Sequence, residues 1–223
     1  MKLQFYKTET TYQGKVYKIL IPAIPLTETY AGFARATPII FANKADFMRL
    51  AALFTLLTEV KDVIIYLPIR KNHDDYLSET YFDPTNFTDI VICHHSLQLK
   101  RGVFKQIKQR LSKGSLISFE VNQMKFADLE FDESFWYKEN KDLLDVAIQD
   151  DILFLIGSRK VFKHLACVCL RFRFVSYLPP FHDHSHLYNY LRHGGFSGHE
   201  DMQFCFYDKI WWQKWFDEQE EGS

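Results

Sequence analysis

The sequence predicts an α/β fold, with a mixed α+β arrangement also open: a mixed sheet with helices on its faces and an N-terminal β-hairpin at an edge. Three features carry that expectation. Apolar runs entered from charged residues, as in KDVIIYLPI and DILFLIG, suit strands covered on both faces. Strand followed by helix recurs at least three times along the chain. The first twenty-odd residues, in contrast, read as two β-rich runs about Gly14, which is a hairpin from Leu3 to Ile21.

TPIIFAN continues as a short strand, and Asn43 is placed to cap the helix that follows. There Phe47, Leu50, Ala51, Phe54 and Leu57 recur at helical spacing, with Leu53 and Leu56 widening the stripe. A buried strand ends at Pro68, and a polar excursion leads to the strand DIVICHH. Ser96 is expected to cap a second helix over Leu97 to Ser112, with Val103, Phe104, Ile107 and Leu111 inward and Gly114 as its stop. SLISFEV alternates as a strand with one wetter face. The acidic segment from Asp128 to Asp151 is expected to hold a helix near Phe135 to Ile148, ahead of the strand DILFLIG. LACVCLRFRFV alternates in the strand period, with Ala166, Val168, Leu170, Phe172 and Phe174 on one face and Cys167, Cys169, Arg171 and Arg173 on the other. A short helix from His186 to His193 with Ser185 as its cap, a strand MQFCFY, and a last helix carrying Trp211, Trp212, Trp215 and Phe216 complete the reading.

At 223 residues the chain can bury one sizeable core and shows no internal linker, so a single domain over 1–223 is expected, with an acidic tail at 218–223 that frays. Aromatic residues make up 17% of it, a share that has to be buried or used at an interface. A formal charge of −1 supplies no general attraction to phosphate backbones or anionic lipid, so nucleic acid is not an expected partner. No apolar stretch approaches the roughly 20 residues that span a bilayer, so no membrane partner is expected either. Cys93, Cys167, Cys169 and Cys205 form no CxxC pair, and the N-terminus lacks the apolar run of a signal peptide; a cytoplasmic protein with reduced thiols is expected.

Chemistry is suggested at three places. At ICHHS a buried strand runs out into His94 and His95 where a helix begins, and free backbone N–H groups at such a point suit an anionic ligand. Ser96, Lys100 and Arg101 are the candidate ligand contacts, and His94 and His95 the candidate catalytic groups. The plainer reading, which the sequence favours, makes these a hydrogen-bonded strand end and the solvated face of an amphipathic helix. Next, residues 179–202 hold five of the nine histidines. His182, His184, His186 and His199, with Asp201, are candidate ligands for Zn²⁺ or another divalent metal, and Glu200 is the candidate base of a metal-assisted hydrolysis. His193 is explained without a metal, because a helix C-terminus favours an imidazolium. The third place is NHDDY, where His73, with Asp74 and Asp75, joins the His94 end if the strands over 63–69 and 89–94 are parallel neighbours.

No GxxxxGK[ST], GxGxxG, GxSxG or HExxH motif occurs, which removes the P-loop hydrolases and weakens the dinucleotide, serine-hydrolase and zincin readings. Two classes of function remain. The first is an intracellular binding or interaction protein that holds a small ligand, including an anionic one, or a protein partner through the Trp211, Trp212 and Trp215 helix or its charged faces. The second is a metal-dependent hydrolase or phosphate-processing enzyme built from the histidine-rich loop and the His94–His95 strand end.

Overall fold

The computed structural model describes residues 1–34, 37–82, 87–127, 144–174, 184–186 and 202–221, with the backbone alone for 34, 184–186, 215, 216 and 219–221. It opens on a hairpin, β1 (Lys2–Tyr12) and β2 (Lys15–Pro22), whose turn places Gln13 at φ 49° and Gly14 at φ 76°. Two successive positive φ values match the right-handed twist of the flanking strands. After it come β3 (Thr29–Ala34), β4 (Thr37–Ala42), α1 (Lys44–Leu57), β5 (Val63–Leu67), α2 (Asp75–Thr80), β6 (Asp89–His94) and α3 (Arg101–Lys108). β7 (Ser115–Glu120), β8 (Asp145–Gln149), β9 (Ile152–Gly157), α4 (Arg159–Arg171), β10 (His184–His186), β11 (Gln203–Phe206) and α5 (Lys209–Glu221) follow.

Seven strands form one mixed sheet in the order β7-β1-β2-β5-β6-β9-β8, and four form a second in the order β10-β11-β4-β3. The α/β mixed sheet with helices on its faces is therefore present, joined by a smaller sheet that the sequence did not announce. β7 pairs outside the hairpin, so the hairpin lies one strand in from that edge. α3 covers one face of the large sheet, where Phe104 and Ile107 pack with Ile19, Ile64, Val91 and Phe154. α1 and α4 cover the other.

Asn43 caps α1 as expected, its side chain accepting from the Asp46 backbone N–H at 2.9 Å. The helix is buried almost all round, because the small sheet closes its far side. Phe54 stacks 6.1 Å from Phe162 of α4 and meets Phe204 of β11 edge-on at 6.3 Å. Phe47 stacks 4.0 Å from Phe172. The small sheet alternates accordingly: Ile40, Ala42 and Phe204 turn to α1, while Ile39 and Phe41 turn away into an aromatic cluster with Tyr207 and Trp212.

Several expected elements differ. LACVCLRFRFV is not a strand: Leu165 to Arg171 belong to α4, capped by Ser158, whose hydroxyl accepts from Val161 N–H at 3.2 Å. With nearly every residue from Val161 to Leu170 buried, both the strand and the helix period fit, and the cap upstream decides. Residues 145–149 are the strand β8 rather than the end of a helix; Asp150 and Asp151, at φ 54° and 59°, turn the chain into β9. The rest of the expected helix lies outside the described residues. Ser96 does not cap a helix over 97–112: residues 95–97 form a 3-10 turn, Gln98 is left-handed at φ 47°, and α3 starts at Arg101. Gly114 is not the helix stop but a close approach, since a Cβ there would lie 2.5 Å from the Lys7 carbonyl oxygen where β7 meets β1. Ser185 is in β10, so no helix starts there; the remainder of that expected helix is outside the described residues.

Phe54 touches both α4 and β11, so Phe54→Ala is expected to lower unfolding stability by about 3–5 kcal/mol in urea titration. Ile210→Ala, at an 82% exposed site, should change it by no more than about 0.5 kcal/mol. Comparable losses for the two would contradict the placement of α1.

Candidate functional site

β5 and β6 are neighbours, but antiparallel, with Leu67 opposite Ile90 and Ile64 opposite Cys93. The parallel pairing that would join NHDDY to CHHS is thus absent: the loop after β5 leaves beside the start of β6, and His94 leaves at the other end, opposite Gly157. His73 accordingly does not join His94 and His95.

His94 is buried at the end of β6, and its Nδ1 lies 2.8 Å from the Ser96 hydroxyl and accepts from the Ser96 N–H at 3.2 Å. Its ring sits 4.4 Å from that of exposed His95. Burial, with the adjacent His95 and Lys61, pushes the His94 imidazole down to about 4. The positive charge along α3 is largely paired: Arg101 with Asp145, Lys105 with Asp150 at 2.7 Å, and Lys108 with Asp89 at 2.6 Å. Lys100 takes the cap position of α3 and is exposed.

Of the metal candidates, His182, His199 and Asp201 lie outside the described residues, as does Glu200; His184 and His186 are placed by backbone, in register with Cys205 and Gln203. Among the described residues no three His, Cys, Asp or Glu side chains converge to hold a metal ion. Cys167 and Cys169 share buried α4, where burial raises the Cys169 thiol well above its ordinary range, which suits packing rather than nucleophilic work.

The most developed site lies between α2 and α5. Asp74 caps α2, its carboxylate accepting from Leu77 N–H at 3.0 Å. The same carboxylate accepts from the Tyr207 hydroxyl at 2.9 Å and pairs with the Lys209 ammonium at 3.1 Å. A carboxylate only 2% exposed is tolerated because each of these donors offsets its lost hydration. Asp208 caps α5, accepting from Trp211 N–H at 3.1 Å, which swings Trp212 back over Tyr207 and Tyr76. The Tyr76 ring lies 5.0 Å from that of Trp212 and 6.1 Å from that of Tyr207, tilted by only 6° from the latter. Burial and Asp74 raise the Tyr207 hydroxyl far above the tyrosine range, so it remains a hydrogen-bond donor.

These rings and charges line a cavity of about 270 Å³. Asp75 and Asp217 add carboxylates at it, and His73 sits beside it, its Nε2 2.9 Å from Asp75. The sequence marks both halves, HDD and the tryptophan helix, but carries no signal that they meet. The chain matches no family model, no curated protein and no solved structure. Fold and site together describe a mixed-sheet α+β protein with an aromatic, acid-rimmed pocket.

The histidines supply a pH test. His94 at about 4 and His164, which burial pushes down to about 3, both titrate below the ordinary value of 6.5 in the folded chain. As pH falls below roughly 6.5 the unfolded chain takes up these protons first, so stability is lost progressively down to about pH 4 for His94 and about pH 3 for His164. Urea midpoints should drop over that interval and drop less in His94→Asn, while the His94 ring resonances should not titrate above about pH 5. A His94 midpoint near 6.5 would contradict its placement.

Proposed function

We propose that the protein is a binding protein whose site is the pocket between α2 and α5, taking a small organic ligand rather than turning one over. The observation that supports this reading most is the construction of the pocket. A buried carboxylate capping α2, a buried tyrosine after β11 and a lysine at the start of α5 are tied together by hydrogen bond and ion pair. Ligand sites combine apolar and aromatic walls with a few convergent polar groups, commonly in volumes of ~300–1,000 Å³, and this cavity, at about 270 Å³, falls just below that range and suits a small ligand. The four cysteines, three of them buried, form no disulfide, which is compatible with work in a reducing, intracellular compartment. No helix among the described residues is long and apolar enough to cross a membrane.

The hydrolase alternative joins His94 and His95 to His182, His184, His186, His199, Glu200 and Asp201; of these only His94 and His95 have described side chains, and their described side-chain contacts are with Ser96 and with each other. Half-buried Trp211 and exposed Ile210 lie on the same helix, α5, and support a protein partner as the second binding reading.

Trp212 lines the cavity and gives it a direct readout. Titration with benzyl alcohol, benzylamine or imidazole at millimolar concentration should quench tryptophan emission and shift the amide resonances of Tyr76, Tyr207, Lys209 and Trp212 together. Tyr76→Ala, a change at a half-buried ring, should weaken that binding about tenfold or more while leaving the fold cooperative. Shifts confined to the His94–His95 end of β6, or no response to any probe, would overturn the reading.

A further inference from the structure

We infer that β7 is a self-pairing edge: the chain forms a two-fold dimer in which β7 of one copy adds antiparallel to β7 of a second. The ladder leaves that edge open. Val121 N–H donates to the Met1 carbonyl at 2.8 Å, and the bonds of an antiparallel pair alternate, so Phe119, Ile117 and Ser115 bond inward to Leu3, Phe5 and Lys7. Leu116, Ser118 and Glu120 accordingly turn their N–H and C=O groups outward, and among the described residues nothing pairs with them. Exposed edges are ordinarily blunted by a lysine, a proline or a bulge. Residues 115–119 read Ser-Leu-Ile-Ser-Phe, and their pairing with β1 runs without a break.

Charge and side-chain pattern select a second copy as the occupant. Lys113 precedes the strand and Glu120 ends it; both are exposed, and neither has an ion-pair partner among the described residues. Antiparallel self-pairing centred on Ile117 sets Glu120 of each copy opposite Gly114 of the other and beside its Lys113, whereas in-register parallel pairing would set like charges together. A two-fold axis perpendicular to the sheet also keeps each face continuous. On one face Leu116, 56% exposed, has Tyr6, 42% exposed, opposite it on β1, and the pairing makes the Leu116 side chains of the two copies diagonal neighbours. On the other face the half-buried Ile117 side chains of the two copies meet directly, with Phe119 alongside. The seam covers apolar surface that a single chain leaves in water, and it satisfies the outward backbone groups. One short strand from each copy makes a small interface, so the dimer belongs to the weak class.

Sedimentation equilibrium of the full chain from about 10 µM to about 1 mM should show monomer passing to dimer and no larger species. Ser118→Pro, which removes an outward N–H and no bond to β1, should stay monomeric throughout while keeping the circular dichroism of the parent. Leu116→Lys, a change at an exposed side chain, should do the same, and it decides the matter should Ser118→Pro not fold. Lys113→Glu should weaken the dimer about threefold or more at low salt, and Glu120→Lys added to it should restore the parent affinity, because the exchanged charges again meet their opposites across the seam. A monomer at every concentration, a larger species, a dimer of unchanged strength in either folded edge variant, or a double variant no tighter than Lys113→Glu alone would each overturn the inference. None of these outcomes bears on the pocket between α2 and α5.

Discussion

The structure depends on the burial of α1 on nearly every side. A helix that is apolar around most of its circumference cannot lie on a surface, and it needs a second layer to close over it. The large sheet and α4 supply one part of that enclosure and the small sheet supplies the other, with Phe54 between Phe162 and Phe204. Once β11 is drawn to α1 by Phe204, the alternation of its strand turns the other face of the small sheet outward. That outward face, with Ile39 and Phe41, is the floor on which Tyr207, Trp212 and α2 assemble.

Two buried aspartates show how the chain handles charge in such an interior. Asp89 opens β6 and accepts from the Tyr66 hydroxyl at 2.7 Å, from the Arg70 N–H at 3.0 Å and from Lys108 at 2.6 Å. It is saturated inside the fold and joins β5, β6 and α3. Asp74 is equally well supplied with donors, but its partners Tyr207 and Lys209 stand at a cavity. The same device therefore serves packing at one place and shapes a pocket at the other. The difference lies in what surrounds the donors, since a low local dielectric makes any unmet charge costly and fixes those that are met.

Much of the scaffold was legible because its signals are local. Gly14 between two β-rich runs marked the hairpin, Asn43 ahead of Phe47 and Leu50 marked α1, and VIIYL and ILFLI marked strands covered on both faces. Legibility failed where local patterns were degenerate. Leu165 to Phe174 satisfied both periods because almost all of it is apolar or buried, and only Ser158, six or seven residues upstream of the segment that alternates, broke the tie. Ser96 looked like a helix cap because serine commonly is one, but the hydrogen bonds of His94 turned the chain first. The candidate site was half legible: His73, Asp74 and Asp75 stood out as a cluster and Trp211 and Trp212 as a stripe, yet 133 positions separate Asp74 from Tyr207.

By itself the sequence determined the class of fold, the positions of most strands and of α1, and the residue types from which a pocket would be made. Those are consequences of periodicity and capping, which act over a few residues. Only the tertiary structure decided that β5 and β6 run antiparallel, which parts His73 from His94, and that a second sheet closes over α1. It also decided that Asp74 receives its donors from Tyr207 and Lys209, so that an acidic loop and a tryptophan helix become two walls of one cavity. Strand pairing and helix docking are settled by which distant apolar faces can be buried together, and no local pattern carries that information.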